Sequence, residues 1–177
     1  MNYSGIYSCD VANGLGCRVS LFVSGCNFHC EDCFNALQQD FNYGHKYTQE
    51  TKEKLLELIS RPYIKGLSIL GGDPLWQDND DLCQLIELCE DVHNLGKDIW
   101  IWSGFTWEQI FPKVTLDELS DNTLYQQNLI ARTDVFIDGR FEKDKKDLTL
   151  KWKGSSNQRV IDVRKSLIEN KIVLFDN

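Results

Sequence analysis

The chain has 177 residues, 42% of them hydrophobic, and a formal net charge of −8. This length predicts one domain over residues 1–177 with a single core, and no apolar run is long enough to cross a membrane. The acidic balance excludes general nucleic-acid binding, which draws its affinity from a basic footprint.

The seven cysteines are Cys9, Cys17, Cys26, Cys30, Cys33, Cys83 and Cys89. Their odd number, with no secretory signal pattern and no paired framework, predicts a reducing, cytoplasmic setting in which clustered thiols hold metal. The first predicted strand covers the apolar run 19–23, with Cys9 and Cys17 just ahead of it. That strand leads into Ser24-Gly25-Cys26-Asn27-Phe28-His29-Cys30-Glu31-Asp32-Cys33-Phe34. Three thiolates spaced Cys-x3-Cys-x2-Cys on one short loop can hold three corners of a cubane [4Fe–4S] cluster, whose usual complement is four. Without a fourth cysteine, one iron stays open to a small molecule, which points to chemistry rather than electron storage.

The competing class is a zinc-stabilised interaction module. A structural zinc wants four ligands, yet the second cysteine knuckle is missing. His29, lying between Cys26 and Cys30, would complete a Cys3His set only with strain. Phe34 has a ring suited to packing on a purine or on the core.

Residues 48–59 follow as a helix with a polar, N-cap-like start and Pro62 beyond its end. A strand over 66–70 runs into Gly71-Gly72-Asp73-Pro74. Two glycines let main chain approach a ligand closely, Asp73 offers a carboxylate, and Pro74 stiffens the exit while withholding an N–H. The carbonyls of this loop suit a cationic amino group. Next comes an amphipathic helix over 82–92. Cys83 and Cys89, six positions apart, differ by about 240° around its axis. Cys89 shares the apolar stripe of Leu82, Leu85, Ile86 and Val92, so both are packing or surface cysteines.

A strand over 98–102 runs into Ser103-Gly104-Phe105-Thr106. Ser103 is placed to hydrogen-bond a carboxylate or ribose, or to cap the helix that follows. Helical patterns cover parts of 107–111 and 116–130, and a strand over 134–137 meets a turn at Asp138-Gly139. In the tail, 148–152, 160–163 and 171–175 read as strands. Residues 140–165 hold nine Lys/Arg against four Asp/Glu, a local excess of five positive charges in an otherwise acidic chain. This is either a solvated face or a docking surface for an acidic partner, set apart from the cysteine loop.

Strand-helix alternation implies an α/β fold with right-handed crossovers and a mostly parallel sheet. Ligands in such sheets bind beyond the carboxyl ends of the strands. The cysteine loop, the Gly-Gly-Asp-Pro loop and the Ser103 loop each follow a strand, so all three are expected on one rim.

The cysteine spacing matches the motif of radical S-adenosylmethionine enzymes, and Gly71-Gly72-Asp73-Pro74 resembles their Gly-Gly-Glu-Pro motif with Asp for Glu. Further matches are Asp10-Val11-Ala12-Asn13-Gly14-Leu15-Gly16, Lys97-Asp98-Ile99-Trp100-Ile101-Trp102-Ser103-Gly104, Asp138-Gly139-Arg140-Phe141 and Gly154-Ser155-Ser156-Asn157-Gln158. In that order, over most of the chain, they resemble the activating proteins of anaerobic (class III) ribonucleoside-triphosphate reductases. The resemblance implies a partial (βα) barrel, shorter than the full eight units. It implies a cluster on Cys26, Cys30 and Cys33, with the amino and carboxylate groups of S-adenosylmethionine on the open iron. Asp32, Cys33 and Phe34 would lie near the adenine, and Gly71, Gly72, Asp73 and Pro74 at the methionine amino group.

The resemblance also implies a low-potential electron donor of the flavodoxin or ferredoxin type. Reductive cleavage would release a 5′-deoxyadenosyl radical that removes hydrogen from a glycine in the large reductase subunit. The runner-up is an activase of another glycyl-radical enzyme, such as pyruvate formate-lyase. Phe34 departs from the tyrosine frequent after the third cysteine, and Cys17 from the non-sulfur residue relatives often have there.

Overall fold

The computed structural model of the protein describes residues 1–176. Its strands are β1 (Asn2–Asp10), β2 (Arg18–Val23), β3 (His45–Lys46), β4 (Gly66–Gly71), β5 (Asp98–Trp102), β6 (Val135–Asp138) and β7 (Arg159–Asp162). They form one sheet in the order β3-β1-β2-β4-β5-β6-β7. The four middle strands run parallel, whereas β1, β3 and β7 add antiparallel edges. The architecture is thus a mixed α/β sheet with a parallel centre, and its end strands β3 and β7 are not paired with each other.

Among the described residues five α-helices accompany it: α1 (Gln49–Ile59), α2 (Asn79–Asn94), α3 (Trp107–Ile110), α4 (Asp121–Ala131) and α5 (Val163–Glu169). Thr48 and Asp78 accept main-chain N–H bonds at the starts of α1 and α2, which fixes where each helix begins. Alternation along the parallel strands sends Val19, Leu21, Val23, Leu67, Ile69, Ile99, Ile101 and Phe136 into one core. There they meet Leu55 and Ile59 of α1, Leu82, Leu85 and Cys89 of α2, and Leu129 and Ile130 of α4. The opposite face carries Trp100, Val135 and Ile137, packed with Trp102, Trp152 and Phe175. Both faces are covered, as the near-continuous apolar runs of parallel strands require.

Several expectations are corrected. The strand over 19–23 is not the first: β1 precedes it, and Cys9 lies within β1. Cys9 and Cys17 are paired, forming a disulfide across the β1–β2 turn with Cα atoms 5.5 Å apart, within the usual span. They sit at the start of β2, and the cysteine loop leaves its other end, roughly 20 Å along a six-residue strand. Residues 148–152 form turns rather than a strand; Leu148 is 80% exposed, so the alternation has no buried face to serve. Residues 171–175 contribute only a bridge from Leu174 to Ile161.

Candidate functional site

The cysteine loop is stitched into place by main-chain bonds. Gly25 N–H donates to Gln38 O at 2.7 Å and Cys26 N–H to Gln39 O at 3.1 Å, so the short 3-10 turn Ala36–Gln39 backs the loop. His29 and Asp32 adopt left-handed backbone at φ 49° and 54°, a conformation that His and Asp tolerate better than most residues. These reversals leave Cys26, Cys30 and Cys33 lining one cavity of about 520 Å³. The His29 ring lies exposed beside Gln39, Nδ1 to Oε1 3.1 Å, and is not among the residues lining that cavity.

The β4 loop is bonded directly to the cysteine loop. Gly72 N–H donates to Val23 O and Asp73 N–H to Gly25 O, both at 2.8 Å. A Cβ on Gly72 would fall 2.6 Å from Gln38 O and 2.7 Å from Gly25 O. The close approach that this glycine permits is therefore to the cysteine-loop main chain, whereas the sequence argument reserved it for a ligand. Gly71, at φ 110°, takes the turn that a side chain would strain.

Asp73 then ties the second loop to the third. It is 1% exposed and accepts from Leu75 N–H at 2.8 Å, Ser103 Oγ at 2.8 Å and Gly104 N–H at 2.7 Å. Burial lifts its carboxyl to about 6, although these three donors pull the other way. Ser103 spends its proton on Asp73 and accepts from Phe105 N–H at 3.1 Å. It does hydrogen-bond a carboxylate, but one of this chain. It does not cap α3: Thr106 holds that position, in a capping box with Gln109.

The structure thus brings the three loops to one rim. Cys26, Cys30, Cys33, Phe34, Gly71, Gly72, Asp73 and Ser103 all line the cavity. Asp32 and Pro74 do not: Pro74 is buried where it opens a 3-10 turn, Pro74–Trp76, and Asp32 is exposed and paired with Lys143 at 3.0 Å. Phe34 is 57% exposed and meets Phe141 edge-on with ring centroids 5.0 Å apart, so it is not a core residue.

Sequence reasoning missed the far wall. The basic segment 140–165 was expected apart from the cysteine loop, yet its Arg140, Phe141, Trp152 and Gly154 line the same cavity. Part of its charge is paired within the chain. Lys143 pairs with Glu31 and Asp32, and Arg159 with Glu108 and Asp138. The side-chain bonds from Arg159 draw Glu108 down to about 2. Trp102 Nε1–H donates to Trp152 O at 2.7 Å, pinning the returning arm to β5. The sequence signals were the local charge excess and the matched segments Asp138–Phe141 and Gly154–Gln158, which mark neither direction nor contact.

The three loop cysteines are free thiols. Burial pushes Cys26 up to about 12, and burial with neighbouring Cys33 raises Cys30; a bound cation reverses such a cost by deprotonating its thiol ligands. Among the described residues no three His, Cys, Asp or Glu side chains converge on one ion position, the arrangement mononuclear zinc requires. A cubane takes each thiolate on a different iron. The donor set, soft thiolates spread around one cavity, fits a [4Fe–4S] cluster.

Comparison with known proteins agrees. A family model described as a 4Fe-4S single cluster domain matches residues 12–161. The chain is 40% identical to the anaerobic ribonucleoside-triphosphate reductase-activating protein of Vibrio cholerae over 162 residues, covering 89% of this chain and 96% of that one. It is 38% identical to the protein of that name from Enterobacteria phage T4 over 161 residues, 90% and 93% of the two chains. With the Escherichia coli K12 protein the identity is 37% over 167 residues, 93% and 100% of the two chains. The chain belongs to the family of anaerobic ribonucleoside-triphosphate reductase-activating proteins and is built on a 4Fe-4S single cluster domain.

Proposed function

We propose that this protein holds a [4Fe–4S] cluster on Cys26, Cys30 and Cys33, cleaves S-adenosylmethionine reductively, and places a glycyl radical on the large subunit of an anaerobic ribonucleoside-triphosphate reductase. The observation that carries this reading is the shared cavity. Three free thiols of one loop line it together with the Gly71-Gly72 and Ser103 loops, while Cys83 and Cys89 lie away on α2. When bound, the cluster and S-adenosylmethionine supply the electron transfer and the radical that takes hydrogen from the partner's glycine.

The chain's own residues bind, orient and exclude. The carbonyls of the Gly71 loop would accept from the methionine amino group, and Phe34 would pack on the adenine. Asp73 and Ser103, saturated by their mutual bonds, hold the loops at fixed spacing. Phe28, Leu70, Trp102 and Phe141 give the cavity apolar walls that keep water from a reactive centre.

In this reading the unclosed sheet is the partial (βα) barrel of the radical S-adenosylmethionine type, residues 1–177 are one domain, and the partner's glycine enters on the open side. The electron comes from a flavodoxin or ferredoxin type donor in the cytoplasm; among the described residues no helix is long and apolar enough to cross a membrane. The test is anaerobic mixing with the large subunit, S-adenosylmethionine and a reductant, followed by electron paramagnetic resonance. A glycyl doublet with stoichiometric loss of S-adenosylmethionine is expected. Activation that leaves S-adenosylmethionine intact, or a colourless protein with zinc and no sulfide, overturns the reading.

A further inference from the structure

Residues 139–141 line the cavity that Cys26, Cys30 and Cys33 share. The Arg140 guanidinium lies 4.3 Å from the centre of the Phe28 ring, inside the loop between Cys26 and Cys30. The carboxylates nearest Arg140 in the chain are committed elsewhere, Asp138 to Arg159 and Glu142 to Lys145. Lys143 holds the turn down by clasping Glu31 at 2.6 Å and Asp32 at 3.0 Å, the two residues between Cys30 and Cys33. Cys26 receives its own amide, Phe28 N–H at 3.5 Å, from within the loop.

A sulfur that ligates iron gains negative charge when the cluster is reduced. An amide proton or a cation beside it stabilises the reduced form more than the oxidised one, which raises the potential. We propose that Arg140, a cation on the wall of the ligand cavity that is uncommitted among the described residues, raises the reduction potential of the cluster, which makes the turn after β6 a redox-tuning element. Arg140 acts through its field at the ligand sulfurs and touches no reacting atom; it is a positioning group. The core takes one electron, from 2+ to 1+, and that electron comes from a reductant outside the chain. The inference rests on the cluster assignment proposed above.

The test is an anaerobic redox titration of the reconstituted protein with dithionite, following the reduced cluster by electron paramagnetic resonance. Arg140→Gln should lower the reduced-to-oxidised ratio about tenfold at a fixed potential, a shift of about 59 mV for a one-electron couple. Arg140→Lys, which keeps the charge, should stay within about threefold of wild type. Iron content and thermal melts are read on each variant. An unmoved potential in Arg140→Gln, or equal shifts in the Gln and Lys variants, overturns the proposal. Loss of cluster or fold in both Arg140→Gln and Arg140→Met also overturns it, because Arg140 is then a structural residue. Wild-type protein that assembles no cluster would sink the proposed function as well, whereas an unmoved potential on an intact cluster sinks this inference alone.

Discussion

The rim loops and segment 139–158 line the same cavity, yet different forces hold them. The rim is main chain bonded to main chain, with Gly72 and Asp73 donating to Val23 and Gly25 and the buried Asp73 carboxylate bracketing the third loop. Segment 139–158 has one short 3-10 turn, Lys143–Lys145, and is held by half-exposed ion pairs and aromatic edges. Breaking a buried bond strands its partner and costs about 1–3 kcal/mol, whereas an exposed pair gives about 0–1 kcal/mol. The difference teaches which side of the cavity is frame and which side yields. Ligand spacing is fixed by the rim, and opening the cavity is cheapest along 139–158.

The harshest ways to break this comparison lie on the rim. Replacing Cys26, Cys30 or Cys33 by Ala should abolish cluster uptake, measured as iron and sulfide per chain, while Cys83→Ala retains it. Iron lost from Cys83→Ala would move a ligand off the loop. Gly72→Val comes next. Its new carbons meet main chain at Gln38 and Gly25 rather than a yielding side chain, so a loss of about 3 kcal/mol is expected. Because those atoms belong to the cysteine loop and its backing turn, cluster content should fall with stability. Full iron content in Gly72→Val would show that the two loops move independently.

Asp73 sharpens the same contrast through pH. Its carboxyl is lifted by burial from 3.8 to about 6, so the native state binds this proton more tightly than the unfolded chain does. The contribution is therefore fully present below about pH 4 and is lost as pH rises through about 6, amounting to about 3 kcal/mol across that window. Asp73→Asn removes the titration and turns an amide N–H toward Ser103 or Gly104, which are themselves donors, at a cost of about 2 kcal/mol. Urea denaturation of both proteins from pH 4 to 7.5 checks this. The wild-type advantage should shrink as pH rises; a constant gap would mean that the three donors cancel the cost of burial.

What was legible in the sequence follows the same divide. The strands now numbered β2, β4 and β5, and the helices α1 and α2, carry periodic apolar positions because they are buried, and their ends place the three loops. Strand β1 hid because it is half-buried over residues 2–6 and exposed over 7–9, leaving no clean alternation. Cys26, Cys30, Cys33 and the glycine pair were readable from spacing on strand ends. The placement of Phe28, Arg140 and Phe141 was not, because a ring under a guanidinium and a ring edge against Phe34 depend on a distant return of the chain. Composition registered only a surplus of positive charge. It did not show that Lys143 spends its charge on the two acids between Cys30 and Cys33.

The gentlest prediction concerns that lysine. Lys143→Glu converts two attractions into two repulsions at the surface, where screening leaves little effect on global stability. The melting temperature should stay within error of wild type. Hydrogen exchange should instead quicken at amides 141–147, because the turn loses its clasp on the cysteine loop, while the Gly72 and Asp73 amides keep their protection. Raising salt should narrow the difference between the two proteins, since the Debye length falls to about 3 Å at 1 M. Exchange that quickens equally at Gly72 and Asp73 would show that rim and segment open as one unit, and the division between frame and yielding wall would fall with it.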